Sequence, residues 1–149
     1  MSIDLSVQGV FDKAMYLIDA QNESTGSTDN GDTTEYKVRT IGILNNLIDD
    51  VYPASDTFVI GEDGKRPALD DLADFSDEIR MDPFIVRSVL PCGLAAKLLS
   101  EENPTLADFF WQLYEQRLAK ARAGVPASFE SIEDGLPYGG IEYGEFARW

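Results

Sequence analysis

The sequence predicts an all-α protein: a bundle of four to five helices with a short hairpin or loop excursion and an extended, aromatic C-terminal arm. Three observations lead to this fold class. Apolar residues recur every three or four positions in several segments, which is the spacing of one helix face. The pairs Asp82-Pro83 and Asn103-Pro104 place a capping side chain before a proline, as many helix starts do. A strand pattern is confined to residues 57–60, so strand content is expected to be minor.

Length and composition favour one domain with a tail. The chain has 149 residues, 44% of them hydrophobic, which is enough for a single sizeable core. We predict a helical domain over residues 1–124 and an extended C-terminal arm over residues 125–149. No run approaches about 18 apolar residues, so no membrane helix is predicted. The N-terminal residues lack the basic and apolar parts of a secretory signal, and we therefore expect a cytoplasmic protein.

The first helix is predicted over residues 6–20, with Ser6 as its N-cap. Residues 22–32 are turn formers and small polar residues, so they are predicted to form an exposed loop. The buried face of the helix is expected to comprise Val7, Val10, Phe11, Ala14, Leu17 and Ile18.

The second helix is predicted to begin at Asp32 as its cap, with Glu35 completing a variant of the capping box, and to stop before Pro53. Residues 57–60 are predicted to form a short strand that enters a turn at 61–67, as a small hairpin or a projecting loop. The apolar positions of the helix are Tyr36, Ile41, Leu44, Leu47, Ile48 and Val51.

Residues 69–81 mix apolar side chains with carboxylates, which favours a short helical turn followed by an extended link. A central helix is then predicted over residues 84–99, starting after Asp82-Pro83. It is apolar on nearly every side, so we expect it to lie in the core. Pro91 and Gly93 are expected to kink or interrupt it near its middle.

The last helix is predicted from Asn103-Pro104 to about Ala123, with Gly124 as its C-terminal stop. Its wide apolar stripe comprises Leu106, Phe109, Phe110, Leu113, Tyr114 and Leu118. Three basic residues in its last turns complement the helix dipole and are candidates for contact with the acidic surface of an adjacent copy: Arg117, Lys120 and Arg122.

The charge of the chain excludes a basic nucleic-acid binder. The formal net charge is -15, whereas binding through phosphates requires clustered Lys and Arg. We therefore expect no sequence-specific nucleic-acid binding. Two interpretations of the charge remain: it keeps the protein in solution, or it repels or imitates DNA.

Sequence patterns typical of catalysis are absent. The chain has no histidine, which excludes Ser-His-Asp, Cys-His and histidine metal sites. Cys92 lies in an apolar run and is predicted to be a buried small hydrophobe. Residues 135–144 are glycine-rich but follow no predicted strand, so phosphate binding is not expected there. Carboxylates occur as adjacent pairs, and residues 29–32 lack the ligand spacing of a calcium loop. We predict no catalytic residue, cofactor or metal.

The order of the last two helices carries a resemblance to a known family. Residues 89–104, followed by 107–118, resemble the paired C-terminal helices of tailed-bacteriophage head-tail connector proteins, also called adaptors or head-completion proteins. In that family a small-residue helix leads through an acidic turn into a helix with a Phe-x-x-x-Tyr-Glu pattern, which Phe110 and Tyr114-Glu115 match. The resemblance covers roughly residues 82–122.

The whole chain also resembles small proteins encoded in prophages of gut Firmicutes. Residues 138–149 match their recurring ending Tyr-Gly-Gly-Ile-Glu-Tyr-Gly-x-Phe-x-x-Trp. The connector resemblance implies a structural virion-assembly protein: a ring of identical subunits docked under the portal, with portal or tail proteins as its other partners. It implies a protein that is cytoplasmic during assembly and later part of the virion, and no catalytic residue. The loop at 22–33 and the excursion at 58–66 depart from many connectors.

The arm supplies the main candidates for protein interaction. Large side chains alternate with glycines there, so the segment cannot build its own core and needs a surface to lie on. That surface is either a neighbouring subunit or the helical domain of the same chain. The predicted interaction residues are Tyr138, Tyr143, Phe146 and Trp149. An acidic DNA-mimic inhibitor of a DNA-binding enzyme, or another non-enzymatic prophage protein, is the alternative function.

Overall fold

The predicted all-α fold is confirmed. The computed structural model describes residues 3–19, 26–28, 31, 33–55, 62, 64 and 67–124. Four α-helices form in this part of the chain: α1 (Val7–Leu17), α2 (Thr34–Val51), α3 (Leu90–Leu98) and α4 (Pro104–Gly124). A 3-10 turn (Tyr52–Ala54) follows α2, and a π-helical segment (Ile85–Val89), here called the π segment, leads directly into α3. The described residues contain no strand, and their one isolated bridge joins Ser6 to Glu78.

Helix α3 is the centre of the bundle, as its composition predicts. It packs against α1, α2 and α4, whereas α1 and α2 make little contact with each other. All of its residues except Lys97 are buried. A nine-residue helix without a polar face can be accommodated only where other helices cover every side.

A close approach to α4 depends on Gly93. A Cβ atom at this position would lie 2.8 Å from Cδ1 of Tyr114 and 3.0 Å from Cδ1 of Leu47. The Tyr114 ring is itself stacked on Trp111, with ring centroids 4.6 Å apart. The missing side chain of Gly93 therefore lets the Tyr114 ring fill the space between α2, α3 and α4.

Two of the predicted N-caps are confirmed. The Ser6 hydroxyl accepts a hydrogen bond from the Gly9 N–H at 3.1 Å, and Asn103 Oδ1 accepts from the Leu106 N–H at 3.1 Å. The predicted cap Asp32 lies outside the described residues, and α2 has Thr33 as its N-cap. The stop of α2 before Pro53 is confirmed.

Helix α1 is shorter than predicted. It ends at Leu17 instead of near residue 20, because Asp19 takes a positive φ of 58° that cannot continue a right-handed helix. Leu17, predicted to be buried, is exposed at this end. Phe109 on α4, predicted in the buried stripe, is also exposed, and its ring packs edge-on against the buried Phe110 with centroids 5.5 Å apart.

Residues 69–81 were predicted to form a short helical turn and an extended link; they contain one hydrogen-bonded turn, in which the Asp77 N–H donates to the Asp74 carbonyl at 3.1 Å, and no helix. The segment is irregular because the Asp77 carboxylate accepts hydrogen bonds from the backbone N–H groups of Ala73 and Asp74, at 2.8 and 3.0 Å. Side chains of this type compete with helical hydrogen bonds by binding nearby backbone groups. Asn45 on α2 then fixes the segment with two hydrogen bonds to the backbone of Leu72.

The same segment completes the N-terminus of α1. The Val7 N–H donates to the Asp77 carbonyl at 3.0 Å, and the Gln8 N–H donates to the Phe75 carbonyl at 3.0 Å. The first N–H groups of a helix have no partner within it, so this loop supplies what the helix lacks. The predicted strand at 57–60 and turn at 61–67 lie largely outside the described residues.

Candidate functional site

The candidate site forms where the helix before α3 departs from regular α geometry. In an α-helix the N–H of residue 91 would donate to the Arg87 carbonyl, but Pro91 has no N–H. The N–H of Leu90 donates to the Ile85 carbonyl, five residues back, as in a π-helix. The irregularity therefore lies one turn before Pro91, and helix α3 continues unbroken through Gly93. The interruption predicted near the middle of residues 84–99 therefore lies at 85–89, just before Pro91, and not at Gly93.

Two basic side chains bind the carbonyl groups of this segment. Lys13 Nζ, from α1, donates to the Arg87 carbonyl at 3.2 Å. Arg117 Nη1, from α4, donates to the Ser88 carbonyl at 3.1 Å. The π segment is thereby bound from both flanking helices, and a proline without an N–H explains why the Arg87 carbonyl needs an outside donor.

These contacts bring three cations together: Lys13, Arg87 and Arg117, which we call the cationic cluster. Burial and then the charges of Arg87 and Arg117 lower the pKa of Lys13, so both guanidinium groups lie close enough to repel the Lys13 charge. No carboxylate of the described residues pairs with any of them. An uncompensated positive cluster is notable in a chain whose net charge is -15.

Cys92 lies directly beneath the cluster. It is fully buried, as predicted, and its Sγ is 3.3 Å from Arg117 Nη1. Burial raises the pKa of the thiol more than the Arg117 charge lowers it. The thiol is therefore protonated at neutral pH and closed to solvent, which does not fit a nucleophile.

The three predicted basic residues of α4 are placed differently from one another. Arg117 is half-buried and directs its guanidinium to the π segment, whereas Lys120 and Arg122 are exposed. Lys120 lies one turn from Arg117, so it extends the cluster along α4. The predicted residues of the arm, Tyr138, Tyr143, Phe146 and Trp149, lie outside the described residues.

Lys13 and Arg87 were missed by sequence reasoning, because they are distant in sequence from α4. One signal pointed to them. A proline inside an apolar helix leaves a carbonyl four residues earlier without its regular donor, and that carbonyl belongs to Arg87. The identity of the donor, Lys13, depends on how α1 packs and could not be read from local patterns.

A second surface of opposite charge borders α2. A groove of about 550 Å³ is lined by residues 68–72 and 76–80 together with Ile48. Its carboxylates are those of Asp70, Asp71, Asp77 and Glu78, and its one basic residue is Arg80. A hollow of about 200 Å³ shares Ile48 and residues 68–71 with this groove and adds Asn45, Asp49 and Tyr52 to the lining. We call the two together the acidic groove.

The carboxylates of the acidic groove have different roles. Asp77 stabilises its own loop, and the two N–H groups it binds lower its pKa. Asp70 and Asp71 are exposed, and no hydrogen bond or ion pair holds either side chain within the described residues. Asp49 and Glu78 are likewise exposed and without a side-chain partner there, so four carboxylates of the groove are available to a partner, and Asp70 and Asp71 are the two that line both hollows.

Tyr114 carries the one unsatisfied hydroxyl of the described core. The residue is 2% exposed, and its hydroxyl has no hydrogen-bond partner. Burial raises its pKa to about 12, and the negative charge of Asp50 acts in the same direction. Such a phenol stays neutral and serves packing, because ionising it would place a bare charge in the core.

The described residues contain no group of three or more Cys, Asp or Glu side chains arranged to hold a metal ion. None of the helices in these ranges combines the length and the apolar character required for a membrane span.

No protein-family model, no curated protein and no solved structure matches the chain. The resemblance to head-tail connectors therefore stays a prediction.

Proposed function

We propose that this chain is a non-enzymatic virion-assembly protein, a subunit of a head-tail connector ring between the portal and the tail of a bacteriophage. Its partners would be further copies of itself and portal or tail proteins. It would act in the cytoplasm during assembly and then remain in the virion. The observation that carries the proposal is the antiparallel pairing of α3 and α4 over the segment that resembles the connector family.

The helix pair supports the proposal because its details agree with the pattern on which the resemblance rests. The small residues Gly93, Ala95 and Ala96 are buried in α3, and Phe110 and Tyr114 of the Phe-x-x-x-Tyr-Glu pattern are buried on α4. The acidic turn between the helices is exposed. This arrangement provides a rigid element on which contact surfaces can be carried.

The charges of the described surface support an assembly role over catalysis. A cationic cluster on α1, α4 and the π segment and an acidic groove beside α2 use different elements of the fold. Such surfaces suit contacts between proteins, while the one thiol is buried and protonated. The alternating aromatic residues of the arm would add contact area, since Tyr and Trp are frequent hot spots of interfaces.

Reconstitution with the portal protein encoded nearest to this gene tests the proposal. The two purified proteins are mixed, separated by sedimentation and imaged by electron microscopy. We expect an added ring of density on one end of the portal, with portal, capsid and tail genes in the gene neighbourhood. Portal particles without added density, together with recovery of a DNA-binding enzyme from bacterial lysate, would favour the acidic DNA mimic instead.

Val38→Ser is the matched control for non-specific adhesion. Val38 on α2 is 79% exposed, the most exposed large apolar residue of the described part. If Val38→Ser removes portal binding, we would attribute that binding to non-specific adhesion of an exposed apolar side chain. Single exposed apolar side chains are common on protein surfaces.

A further inference from the structure

We propose that the cationic cluster of one copy binds the acidic groove of a second copy of this chain, in a head-to-tail contact that repeats around the ring. The inference rests on the proposed function and deepens it by naming the surfaces that join neighbouring subunits. It concerns Lys13, Arg87 and Arg117 on one side and Asp70 and Asp71 on the other.

The cationic side retains donors that the fold does not use. Lys13 Nζ makes one hydrogen bond, Arg117 makes its contacts through Nη1, and the exposed Arg87 guanidinium makes none to the described residues. A carboxylate placed among these groups would accept the remaining N–H donors and relieve the repulsion that lowers the Lys13 pKa.

The acidic groove offers exposed carboxylates and enough volume for a basic side chain. Asp70 and Asp71 are exposed and unpaired within the described ranges, and the groove beside them has a volume of about 550 Å³. An arginine side chain can enter such a groove and present its planar fork to a carboxylate in two parallel hydrogen bonds. Arg87 is the exposed guanidinium best suited to this contact.

The occupant is a second copy because both halves of the contact are present on every copy. The two surfaces are built from different elements, so the contact is heterologous: each copy uses its cluster on one neighbour and its groove on the other. Contacts of this kind close into rings or extend into filaments.

Charge reversal on the two surfaces tests the inference. The first variant is Arg87→Glu with Lys120→Glu, and the second is Asp70→Lys with Asp71→Lys. All four side chains are exposed and outside the hydrogen bonds that hold the fold. Lys13 and Arg117 are left intact, since both bind backbone carbonyls. Circular dichroism verifies that each variant remains helical.

Sedimentation velocity of the full chain then gives a distinctive pattern. We expect the unmodified protein to self-associate at low ionic strength and to dissociate at about 1 M salt, where the Debye length falls to about 3 Å. Each variant alone should be monomeric. An equimolar mixture should restore self-association beyond a dimer, because the intact groove of the first variant meets the intact cluster of the second and the two reversed surfaces also have opposite charges. Joining all four substitutions in one chain should restore self-association.

Glu101→Lys with Asp108→Lys is the control for the second variant. It adds the same positive charge as Asp70→Lys with Asp71→Lys, but at exposed positions near the other end of α4. It should associate as the unmodified chain does.

If either charge-reversal variant forms rings on the portal as the unmodified chain does, the inference is overturned and the proposed function still stands. Restored association in the mixture without any portal binding would instead support the contact and reject the proposed function. A chain that stays monomeric at low ionic strength, with no association in the mixture, would overturn the contact.

Discussion

Arg117 on α4 donates to the Ser88 carbonyl of the π segment at 3.1 Å, with the same Nη1 atom 3.3 Å from the Cys92 sulfur. The contact connects the last long helix to the irregular start of the central one. It places a guanidinium partly in the core, where its hydrogen bonds are shielded from water.

Arg117→Met keeps most of the side-chain volume and removes these hydrogen bonds. We expect a loss of about 1–3 kcal/mol in the free energy of unfolding, because a partly buried carbonyl loses a charged donor. Urea unfolding followed by circular dichroism measures the loss. Lys120→Met is the control, since Lys120 is exposed and its replacement should change stability by no more than about 0.5 kcal/mol. Equal effects of the two substitutions would contradict the role given to the Arg117 contact.

Replacing Gly93 and Gly42 by alanine should change the free energy of unfolding in opposite directions. Gly93→Ala places a Cβ 2.8 Å from the Tyr114 ring, and we expect it to destabilise the fold by about 1–3 kcal/mol through overpacking. Gly42→Ala, at an exposed position of α2 with no atom within 4 Å of the new Cβ, should stabilise it by up to about 1 kcal/mol. Chemical unfolding of both variants measures the difference. A harmless Gly93→Ala would show that α3 and α4 do not approach as closely as described.

Much of this fold follows from local sequence signals. Ser6 and Asn103 were predicted as caps because a capping hydrogen bond spans only three residues. The segment 69–81 could not be predicted in the same way, since its shape depends on Asn45, far away in the chain. The sequence predicts a short turn there, but not that the Asp77 carboxylate fixes it by binding the backbone N–H groups of Ala73 and Asp74.

The candidate site was only partly predictable for the same physical reason. The basic end of α4 was visible in the sequence, and so was the proline that disturbs the central helix. That Lys13 meets Arg87 and Arg117 depends on the packing of three helices. The exposure of Phe109 likewise depends on which side of α4 is covered, because a wide apolar stripe does not tell which of its edges is left open.

Tyr114 should make stability fall at alkaline pH. The pKa of Tyr114 is raised in the folded protein from 10.0 to about 12. The neutral phenol therefore contributes fully to the free energy of unfolding below pH 10, and this contribution is lost as the pH rises from 10 to about 12. Tyr114→Phe should therefore lose less stability than the unmodified chain between these pH values. At neutral pH it should be neutral or slightly stabilising, since the buried hydroxyl has no partner.

Urea unfolding at neutral pH and near pH 11 checks this expectation. Tyr36→Phe gives a useful comparison, because burial and a hydrogen bond to Glu102 raise the pKa of Tyr36 to about 12 as well. At neutral pH, Tyr36→Phe should lower the free energy of unfolding, unlike Tyr114→Phe, because it removes the hydrogen bond to Glu102. Identical alkaline behaviour of all three proteins would contradict the raised pKa values.

Cys92 should be almost unreactive in the folded chain. The thiol is fully buried and its pKa is raised, so reaction with a disulfide reagent requires opening of the bundle. We expect the reaction to be at least about a hundredfold slower than in urea, where the chain is unfolded. Absorbance of the released thiolate measures both rates. Rapid reaction without denaturant would reveal an accessible and activated thiol, which the buried position of Cys92 does not allow.

We expect this chain to act through its contacts, with the C-terminal arm docking on a neighbour. The most direct measurement compares the full chain with a truncation that ends at Leu136, using unfolding in urea and binding to portal. We expect the truncated chain to keep its helical content and its free energy of unfolding, and to lose association with portal or with itself. Loss of the fold on truncation would contradict this expectation, because it would show that the aromatic residues of the arm complete the core of their own domain.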